Sequence, residues 1–291
     1  MRAHRMPQVT AVVVTFNSAE VLPACLTSLK ANGAAVIVVD NASDDDTVPV
    51  AEAMGAVVIR NVENLGYGRA NNIGIRAAET DYVLICNPDA QLDKGAVDAL
   101  LMAAQRYPRA GLYAPRIFEP DGREYFKTES YLTPGAVLSS RTVVAPEGDV
   151  CTPMILGACL MMRRDLFLEL GGFDENIFLF YEDDDLCRRL SDRGRALIYV
   201  HAATARHKRG ASSRPRKGLI YLSRYHQAWS RAYVARKYGL KSPVLAMMLV
   251  NGLKLTGAWL SGNAKRIERY GGSFAGALAA MRKMPACPRT R

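Results

Sequence analysis

Short apolar runs, each closed by polar residues, recur along the N-terminal third of this 291-residue chain. Residues 9–16, 35–39 and 56–60 have the composition of strands, and the run YVLIC at 82–86 is typical of a strand buried on both faces. Between the first two runs, apolar residues at helical spacing predict a helix whose first turns contain Pro23. This succession indicates an open α/β sheet, which binds its ligands at the carboxyl ends of its strands.

Two acidic residues follow these runs, at the positions where such a sheet binds ligands. Asp40 follows the second run and can accept hydrogen bonds from a base or a ribose. Asp89 follows the fourth run, after Asn87 and Pro88, and can hold a hard divalent cation whose other ligands are substrate phosphates. An Asn-Pro-Asp turn that simply ends the strand is the alternative interpretation of Asp89.

A glycine-rich segment, NVENLGYGRANNIGI, covers residues 61–75. Gly66 and Gly68, with Arg69 and Asn71 close behind, predict a tight approach to a ligand followed by a helix. The segment is not a dinucleotide fingerprint, because position 71 is Asn and because it does not follow the first strand. The chain contains no Walker A sequence either.

Four consecutive carboxylates, at positions 182–185, follow an apolar and aromatic run at 177–181. Buried carboxylates are costly unless a metal, a cation or a proton compensates them, and a helix N-terminus gives partial relief. We expect the run to carry these carboxylates to the wall of a cleft. An acidic first turn of a surface helix is the alternative.

A basic segment, ARHKRGASS, covers residues 205–213 and contains His207. A lone histidine is more often structural than a ligand. Lys208, Arg209, Gly210 and Ser212 around it are, however, typical of a loop that closes over phosphate.

Seven motifs in order carry a resemblance to a known family: VVVTFN (12–17), VVDNAS (38–43), ENLGYGRANNIGI (63–75), NPDA (87–90), GGFDE (171–175), YEDDDLCRR (181–189) and HKRGAS (207–212). Together they resemble glycosyltransferase family 2, and more narrowly its bacterial rhamnosyltransferase-like members. The resemblance covers roughly the first 215 residues. It implies the GT-A fold, a Rossmann-like α/β domain with a mostly parallel sheet, a nucleotide-diphosphate sugar donor, and inversion at the anomeric carbon.

The resemblance also implies residue roles. Asp183 matches the catalytic base, and Asp89 matches the last acid of the family's D-x-D metal motif, in which Asn87 replaces the first acid. His207 matches a late histidine that contacts metal or diphosphate, so Asp89 and His207 are the expected ligands of Mg²⁺ or Mn²⁺. The remaining assignments place Thr15, Asn17, Asp40, Asn41, Gly66, Arg69, Asn71, Asn87 and Asp89 at the nucleotide sugar, and Gly157, Glu182 and Asp184 at the acceptor or the active-site wall.

The expected chemistry needs one carboxylate base. An acceptor hydroxyl is a poor nucleophile until a positioned carboxylate, here Asp183, takes its proton during attack. A divalent cation can stabilise the growing charge of the nucleotide diphosphate that leaves. Single displacement with inversion requires no second carboxylate as nucleophile.

Charge divides the chain sharply. From residue 206 onward there are 19 Lys and Arg and one acid, Glu268, whereas the first 205 residues hold 19 bases and 27 acids. We therefore predict a catalytic domain over residues 1–215 and a basic helical C-terminal region over residues 216–291. Residues 217–238 are predicted to be helical and aromatic.

The apolar run at 244–260 is slightly short for a membrane span and carries a lysine, so it is expected to lie in the interface of an anionic cytoplasmic leaflet. A helical hairpin packed on the catalytic domain or on a partner in a homodimer is the alternative. No signal peptide is expected, and six cysteines without C-x-x-C spacing favour reduced thiols in the cytoplasm.

The sequence therefore predicts an inverting enzyme, peripheral at the inner membrane face, that moves a sugar to a glycan or polyprenyl-linked acceptor of the cell surface. L-Rhamnose from dTDP-rhamnose is the preferred donor, and galactofuranosyl or other hexosyl transfer from a UDP-sugar is the alternative. A nucleic-acid-binding module is disfavoured because no nucleic-acid motif is present. A nucleotidyltransferase would need a glycine-rich basic loop after the first strand, and a non-catalytic relative would not need Asp40, Asp89, Asp183 and His207 together.

Overall fold

The computed structural model of the chain describes residues 8–126, 130–132, 146–208, 210–212 and 218–286. Arg209, Cys287 and the predicted domain boundary after residue 215 lie outside the described residues. The strands are β1 Val9–Thr15, β2 Ala35–Asp40, β3 Val57–Arg60, β4 Tyr82–Cys86, β5 Ala90–Leu92, β6 Leu112–Phe118, β7 Glu124–Tyr125, β8 Val150–Cys151, β9 Cys159–Arg163 and β10 Leu197–His207. The helices are α1 Leu22–Ala31, α2 Thr47–Ala53, α3 Tyr67–Ala77, α4 Ala96–Arg106, α5 Arg164–Glu169, α6 Glu182–Asp192, α7 Leu219–Lys237, α8 Val244–Leu260 and α9 Ala264–Met281.

One mixed sheet runs in the order β3-β2-β1-β4-β9-β6-β10-β5, with β7 on β6 and β8 on β10. The first four strands are parallel, β9 runs against both β4 and β6, and β10 runs parallel to β6. The carboxyl ends of β1, β2, β4 and β10 therefore lie at the same edge of the sheet, where β9 begins. We call this the strand-end edge.

The core lies on both faces of the sheet because successive side chains of a strand point to opposite sides. Ala11 and Val13 of β1 pack in the layer of α1 and α4, whereas Val12 and Val14 pack in the layer of α3 and α6. All seven residues of β1 are buried, which explains its unbroken apolar run. The predicted α/β class is confirmed.

The end of β10 corrects one sequence-based expectation. Residues 205–207, placed in a phosphate loop by the sequence, are the last three residues of β10. They pair antiparallel with β5, His207 opposite Ala90, and this pairing holds the histidine rigidly beside the end of β4. The loop itself begins only at Lys208, whose N–H donates to the carbonyl of Asp89.

The α7 helix is joined to α6 through one buried carboxylate. Asp185 is 0% exposed and accepts hydrogen bonds from Lys237 Nζ at 2.5 Å, Tyr238 Oη at 2.8 Å and Arg189 Nε at 2.8 Å. Lys237 also donates a hydrogen bond to Asp174. Burial alone would raise the pKa of Asp174, but this and further hydrogen bonds lower that pKa to about 2. Lys237, at the end of α7, thus forms ion pairs with Asp185 of α6 and with Asp174.

The last two helices differ in burial. α9 packs closely on α7, because Gly272 and Gly276 lie against the backbone carbonyls of Tyr221 and Tyr225. Within α8, all of which the structure describes, only Ala258 is fully buried. No helix among the described residues is both long enough and apolar enough to cross a membrane.

Candidate active site

Asp89 and His207 meet at the strand-end edge. His207 Nε2 lies 3.1 Å from Asp89 Oδ1, and both side chains are almost completely buried. The other carboxylate oxygen of Asp89 accepts the N–H of Ala211 at 3.2 Å. Asn87 completes the group, with its amide nitrogen 3.5 Å from His207 Nε2. The sequence-predicted pair is therefore brought together.

This pair fits a divalent cation. Two ligand atoms bound side by side in an octahedral shell, each about 2.1 Å from the ion, are separated by about 3 Å. The distance between Asp89 Oδ1 and His207 Nε2 matches that separation. Among the described residues, no third His, Cys, Asp or Glu joins them in a metal-holding group. Such an ion would keep most of its coordination sites for phosphate oxygens and water.

Asp183 is fixed in the first turn of α6 by two backbone donors. Its Oδ2 accepts the N–H of Gly157 at 2.9 Å, and its Oδ1 accepts the N–H of Asp184 at 3.0 Å. A Cβ on residue 157 would lie 3.1 Å from Asp183 Cβ, so glycine permits this close approach. Asp183 is half-buried, whereas Glu182, Asp184 and Asp185 are buried. Of the four carboxylates, it is the one that is partly exposed to solvent.

Tyr67 holds the other side of Gly157. Its hydroxyl donates to the carbonyl of Gly157 at 2.9 Å. Burial first, and then the negative charge of Glu182, raise the pKa of Tyr67 well above its usual range. The phenol therefore stays protonated and keeps donating at neutral pH.

One backbone hydrogen bond connects the segment that holds Asp183 with the Asp89–His207 pair. The N–H of Asn87 donates to the carbonyl of Ala158 at 2.8 Å, directly after Gly157. Asp183 is thus linked through residues 157 and 158 to Asn87, and through Asn87 to His207. Asp183 and the Asp89–His207 pair therefore lie on one continuous stretch of the strand-end edge.

Backbone strain is concentrated in the same region. Among the described residues, five that are not glycine have a positive φ, and four of them are Asn17, Ala42, Phe180 and Tyr181. The first two follow β1 and β2, and the last two immediately precede α6. Such conformations cost about 1–3 kcal/mol each and cluster at functional sites. The two at Phe180 and Tyr181 lead directly into the first turn of α6, which carries Glu182 and Asp183.

Asp40 lies at the end of β2, buried and hydrogen-bonded. Its Oδ1 accepts the hydroxyls of Thr15 at 2.9 Å and Ser43 at 2.5 Å, and its Oδ2 accepts the N–H of Ser43 at 2.9 Å. Asn17 is part of the same loop, since its N–H donates to Ser43 Oγ at 2.8 Å. The predicted nucleotide residues Thr15, Asn17 and Asp40 therefore form one group, which Ser43 organises.

Asn41 and Gly66 join this group to the loop before α6. Asn41 Nδ2 donates to the carbonyl of Gly66 at 3.2 Å, and Asn41 Oδ1 accepts Asn61 Nδ2 at 2.8 Å. Gly66 has φ 85°, and a Cβ there would overlap the carbonyl oxygen of Phe178. That oxygen accepts the N–H of Tyr67 at 3.0 Å. The side chain of Asn41 is thus occupied in holding loops.

Arg69 and Asn71 are not brought to Asp40 by any described contact. Arg69 is exposed and lies 3.6 Å from Glu175. Asn71 is buried on α3, where its amide donates to the carbonyl of Tyr67 at 3.0 Å, and its Oδ1 has no partner among the described residues. Of the predicted wall residues, Asp184 accepts Ser130 Oγ at 2.6 Å, and the Cβ of Glu182 lies beside Gly68.

Sequence reasoning missed Tyr67 and Ser43. Tyr67 lies 90 positions before its partner Gly157, and nothing local marks a tyrosine that will reach so far along the chain. Ser43 had a usable signal, because a serine three residues after a strand-end aspartate can bond back to that aspartate. Both residues support predicted site residues.

Comparison with known proteins decides the family. The model of glycosyl transferase family 2 matches residues 10–171, which is more than half of the chain. The chain belongs to glycosyltransferase family 2. The resemblance stated from the motifs is thereby confirmed, and the chain is a glycosyltransferase.

Two curated relatives and one solved structure describe the neighbourhood. The N-acetylglucosaminyl-diphospho-decaprenol L-rhamnosyltransferase of Mycobacterium tuberculosis is 31% identical over 263 residues, covering 76% of this chain and 86% of the relative. Rhamnosyltransferase WbbL of Escherichia coli is 26% identical over 189 residues, covering 59% and 71%. The mannosyltransferase PcManGT of Pyrobaculum calidifontis, solved with GDP-Man and Mn²⁺, aligns with a TM-score of 0.58 at 17% identity, covering 95% and 88%. This last likeness supports the GT-A fold.

Proposed function

We propose that this glycosyltransferase moves L-rhamnose from dTDP-rhamnose to a hydroxyl of a lipid-linked N-acetylglucosaminyl acceptor, with inversion. The relative from Mycobacterium tuberculosis is named for this type of reaction and aligns along most of both chains. The observation that carries the proposal is the joining of Asp183 to the Asp89–His207 pair through residues 157 and 158 and Asn87. It supports a base and a diphosphate-binding group that act on one donor at the strand-end edge.

Asp183 would act as the general base. Its two backbone donors hold the carboxylate in one orientation, so it can take the proton of the acceptor hydroxyl as that oxygen attacks the sugar. One new bond forms at the anomeric carbon while the bond to the diphosphate breaks on the opposite side. No second carboxylate is required, which agrees with single displacement.

Asp89 and His207 would hold a divalent cation, Mg²⁺ or Mn²⁺. Such an ion supplies charge to neutralise the diphosphate leaving group. Because Asn87 takes the position of a further acid, the protein contributes few ligands, and we expect the ion to bind tightly only together with the nucleotide diphosphate. Asp40 would bond the base of the nucleotide, with Thr15 and Ser43 orienting its carboxylate.

The α8 helix would place the enzyme on the cytoplasmic face of the membrane. Its solvent side carries Leu245, Leu249 and Leu253 one turn apart, exposed by 75%, 66% and 69%. With Val250 and Leu260 they form what we call the α8 surface. Basic residues flank it and favour anionic lipid. A homodimer through the same surface is the alternative, and sedimentation of the protein with anionic vesicles decides between them.

Calorimetric titration with dTDP, UDP and GDP, each with and without Mg²⁺ or Mn²⁺, tests the donor. Tight binding of dTDP that requires the ion supports the rhamnosyl assignment. Preference for UDP keeps the enzyme class and moves the donor to UDP-galactofuranose or a UDP-hexose. Absence of binding to all three would contradict the proposed function.

A further inference from the structure

An open groove lies between α7, α8 and α9, and none of its lining residues belongs to the strand-end edge. Its volume is about 570 Å³, and its main lining residues are Tyr221, Leu222, Leu255, Trp259, Ile267 and Gly271. Aromatic and aliphatic side chains thus form most of its wall, and the volume lies within the range of small-molecule sites. We call it the C-terminal groove.

The groove is continuous with the α8 surface. Leu255 and Trp259 lie one turn apart on α8 and line the groove, whereas Leu253 and Leu260 beside them face solvent. Trp259 is itself 66% exposed. An apolar path therefore runs from the outer side of α8 into the groove, so a hydrocarbon chain leaving a bilayer could enter without crossing a polar barrier.

Positive charge stands at one end of the groove. α8 ends at Leu260 and α9 begins at Ala264, and the exposed Lys265, Arg266 and Arg269 of α9 flank Ile267 and Glu268, which line the groove. Glu268, on the groove lining, is the one acid of the C-terminal third. An apolar groove with a basic end is complementary to a long hydrocarbon that carries a phosphate or diphosphate.

The groove lies within reach of the strand-end edge. Gly218 lines the groove, and Ser212 is held at the edge because its carbonyl accepts Ser18 Oγ at 2.6 Å. Six peptide units connect residues 212 and 218, so the two ends are separated by at most about 22 Å. A sugar diphosphate with its first isoprene units spans such a distance.

We propose that the C-terminal groove binds the polyprenyl chain of the lipid-linked acceptor, with the basic residues at the start of α9 bonding its diphosphate. This rests on the proposed function, and it assigns the acceptor's lipid a site on the protein in addition to the bilayer. The α7–α9 helices would then select acceptors by the length of their hydrocarbon as well as by their sugar.

A matched pair of glycine substitutions tests the site. Gly271 lines the groove, and the atoms nearest to a Cβ there belong to Tyr221 and Leu255, at 3.7 Å or more, so Gly271→Leu fits the helix and extends into the groove. Gly257→Leu adds the same side chain to α8, where a Cβ meets nothing within 4 Å, and leaves the groove open. Neither residue belongs to the catalytic edge, and circular dichroism checks that both variants fold.

The first readout is the fluorescence of Trp259 in detergent micelles titrated with a long-chain polyprenyl phosphate or with farnesyl phosphate. Trp229, the other tryptophan, is buried, so Trp259→Phe isolates the groove signal. We expect the long chain to shift the emission at about tenfold lower concentration than farnesyl phosphate, because more methylene groups are buried. Gly271→Leu should abolish that difference, and Gly257→Leu should keep it.

The second readout is transfer to two acceptors that share the sugar diphosphate and differ in chain length. Gly271→Leu should raise KM for the long-chain acceptor about tenfold and leave the short-chain KM unchanged. Equal behaviour of Gly271→Leu and wild type would overturn the groove site, as would equal losses in both variants, which would point to bilayer or dimer contact instead. If wild type transfers to neither acceptor, the proposed function fails, and the fluorescence titration still decides the groove.

Discussion

At the strand-end edge polar side chains are buried, whereas along α8 apolar side chains are exposed. Asp40, Asp89 and His207 lie almost entirely out of solvent, each held by hydrogen bonds to neighbouring elements. Leu249 and Leu253, on the outer side of α8, are 66% and 69% exposed. Both arrangements cost free energy in the isolated chain, and both are typical of surfaces that await a partner.

The difference indicates which kind of interaction each region favours. Buried, preoriented polar groups with a strained backbone favour charge stabilisation and proton transfer. An exposed apolar helix flanked by bases favours lipid. Asp185, Lys237 and Tyr238 join α6 to the end of α7. The strand-end edge and the α8 surface share no residue, so substitutions in one region can be compared with substitutions in the other.

The largest expected effect is that of Asp183→Asn. The amide cannot take the proton of the acceptor hydroxyl, so kcat should fall by about 10²–10⁴-fold while the Kd for nucleotide stays within about twofold. Asp192→Asn is the control, because this exposed carboxylate lies on the same helix and bonds only Arg188 in the described contacts. Turnover near the wild-type rate in a folded Asp183→Asn variant would remove Asp183 as the base.

The second-largest effect is expected for His207→Ala, which should weaken nucleotide binding in the presence of the cation. Loss of one of two protein ligands should reduce the ion-dependent part of nucleotide affinity by about 10–100-fold, as calorimetry with and without Mn²⁺ would show. His201→Ala on the same strand is the control, since its ring bonds Pro146. An unchanged ion dependence in His207→Ala would place the cation elsewhere.

Replacing Leu249 and Leu253 together by Ser should act only on the second region. Partitioning onto anionic vesicles should drop by about tenfold or more, because two leucines no longer leave water. Calorimetric binding of the nucleotide should not change. If vesicle binding persisted and the dimer fraction fell instead, the α8 surface would be a protein interface.

Tyr67→Phe should have a smaller effect at the edge. Without the hydroxyl, the peptide of Gly157 is less firmly held, and through it Asp183. We expect kcat to fall by about fivefold, near the value of one hydrogen bond, with KM for the donor unchanged. Tyr82→Phe on β4 is the control. A change in KM alone would show that Tyr67 contacts substrate instead.

His226, which packs on the loop before α6, should make the stability of the fold depend on pH. Its ring stacks on Phe178 with centroids 4.4 Å apart, and burial lowers its pKa to about 4. Since the unfolded chain binds the proton near pH 6.5 and the folded chain does not, stability falls as pH drops from about 6.5 toward 4, by about 2 kcal/mol at pH 5. Denaturant unfolding at pH 7 and pH 5 should show this loss, and His226→Phe should reduce it.

The sequence predicted the parallel half of the fold well, because its signals are local. Apolar runs mark β1, β2 and β4, and the four carboxylates at 182–185 do begin α6, as expected of a helix N-terminus. The apolar run at 244–260 coincides with α8. Each of these elements follows from composition and spacing within fewer than twenty residues.

The rest depends on contacts between distant segments. β5 is a three-residue strand that pairs with the end of β10. Because this pairing joins distant segments, residues 205–207 gave no local sign that they belong to β10. The bond from Tyr67 to Gly157 and the burial of Asp185 under Lys237 and Tyr238 join segments 52–90 positions apart. Roles of the site residues remain predictions, whereas their assembly at one edge is a property of the fold.

The most direct test is a transfer assay. The full chain is incubated with Mg²⁺ or Mn²⁺, a lipid-linked N-acetylglucosaminyl acceptor and dTDP-rhamnose, or a UDP-hexose in parallel, and the lipid product is analysed by mass spectrometry and NMR. The account predicts one added deoxyhexose, released dTDP, and an anomeric configuration opposite to that of the donor. Transfer only from the UDP-hexose, or a product with the donor's configuration, would contradict it.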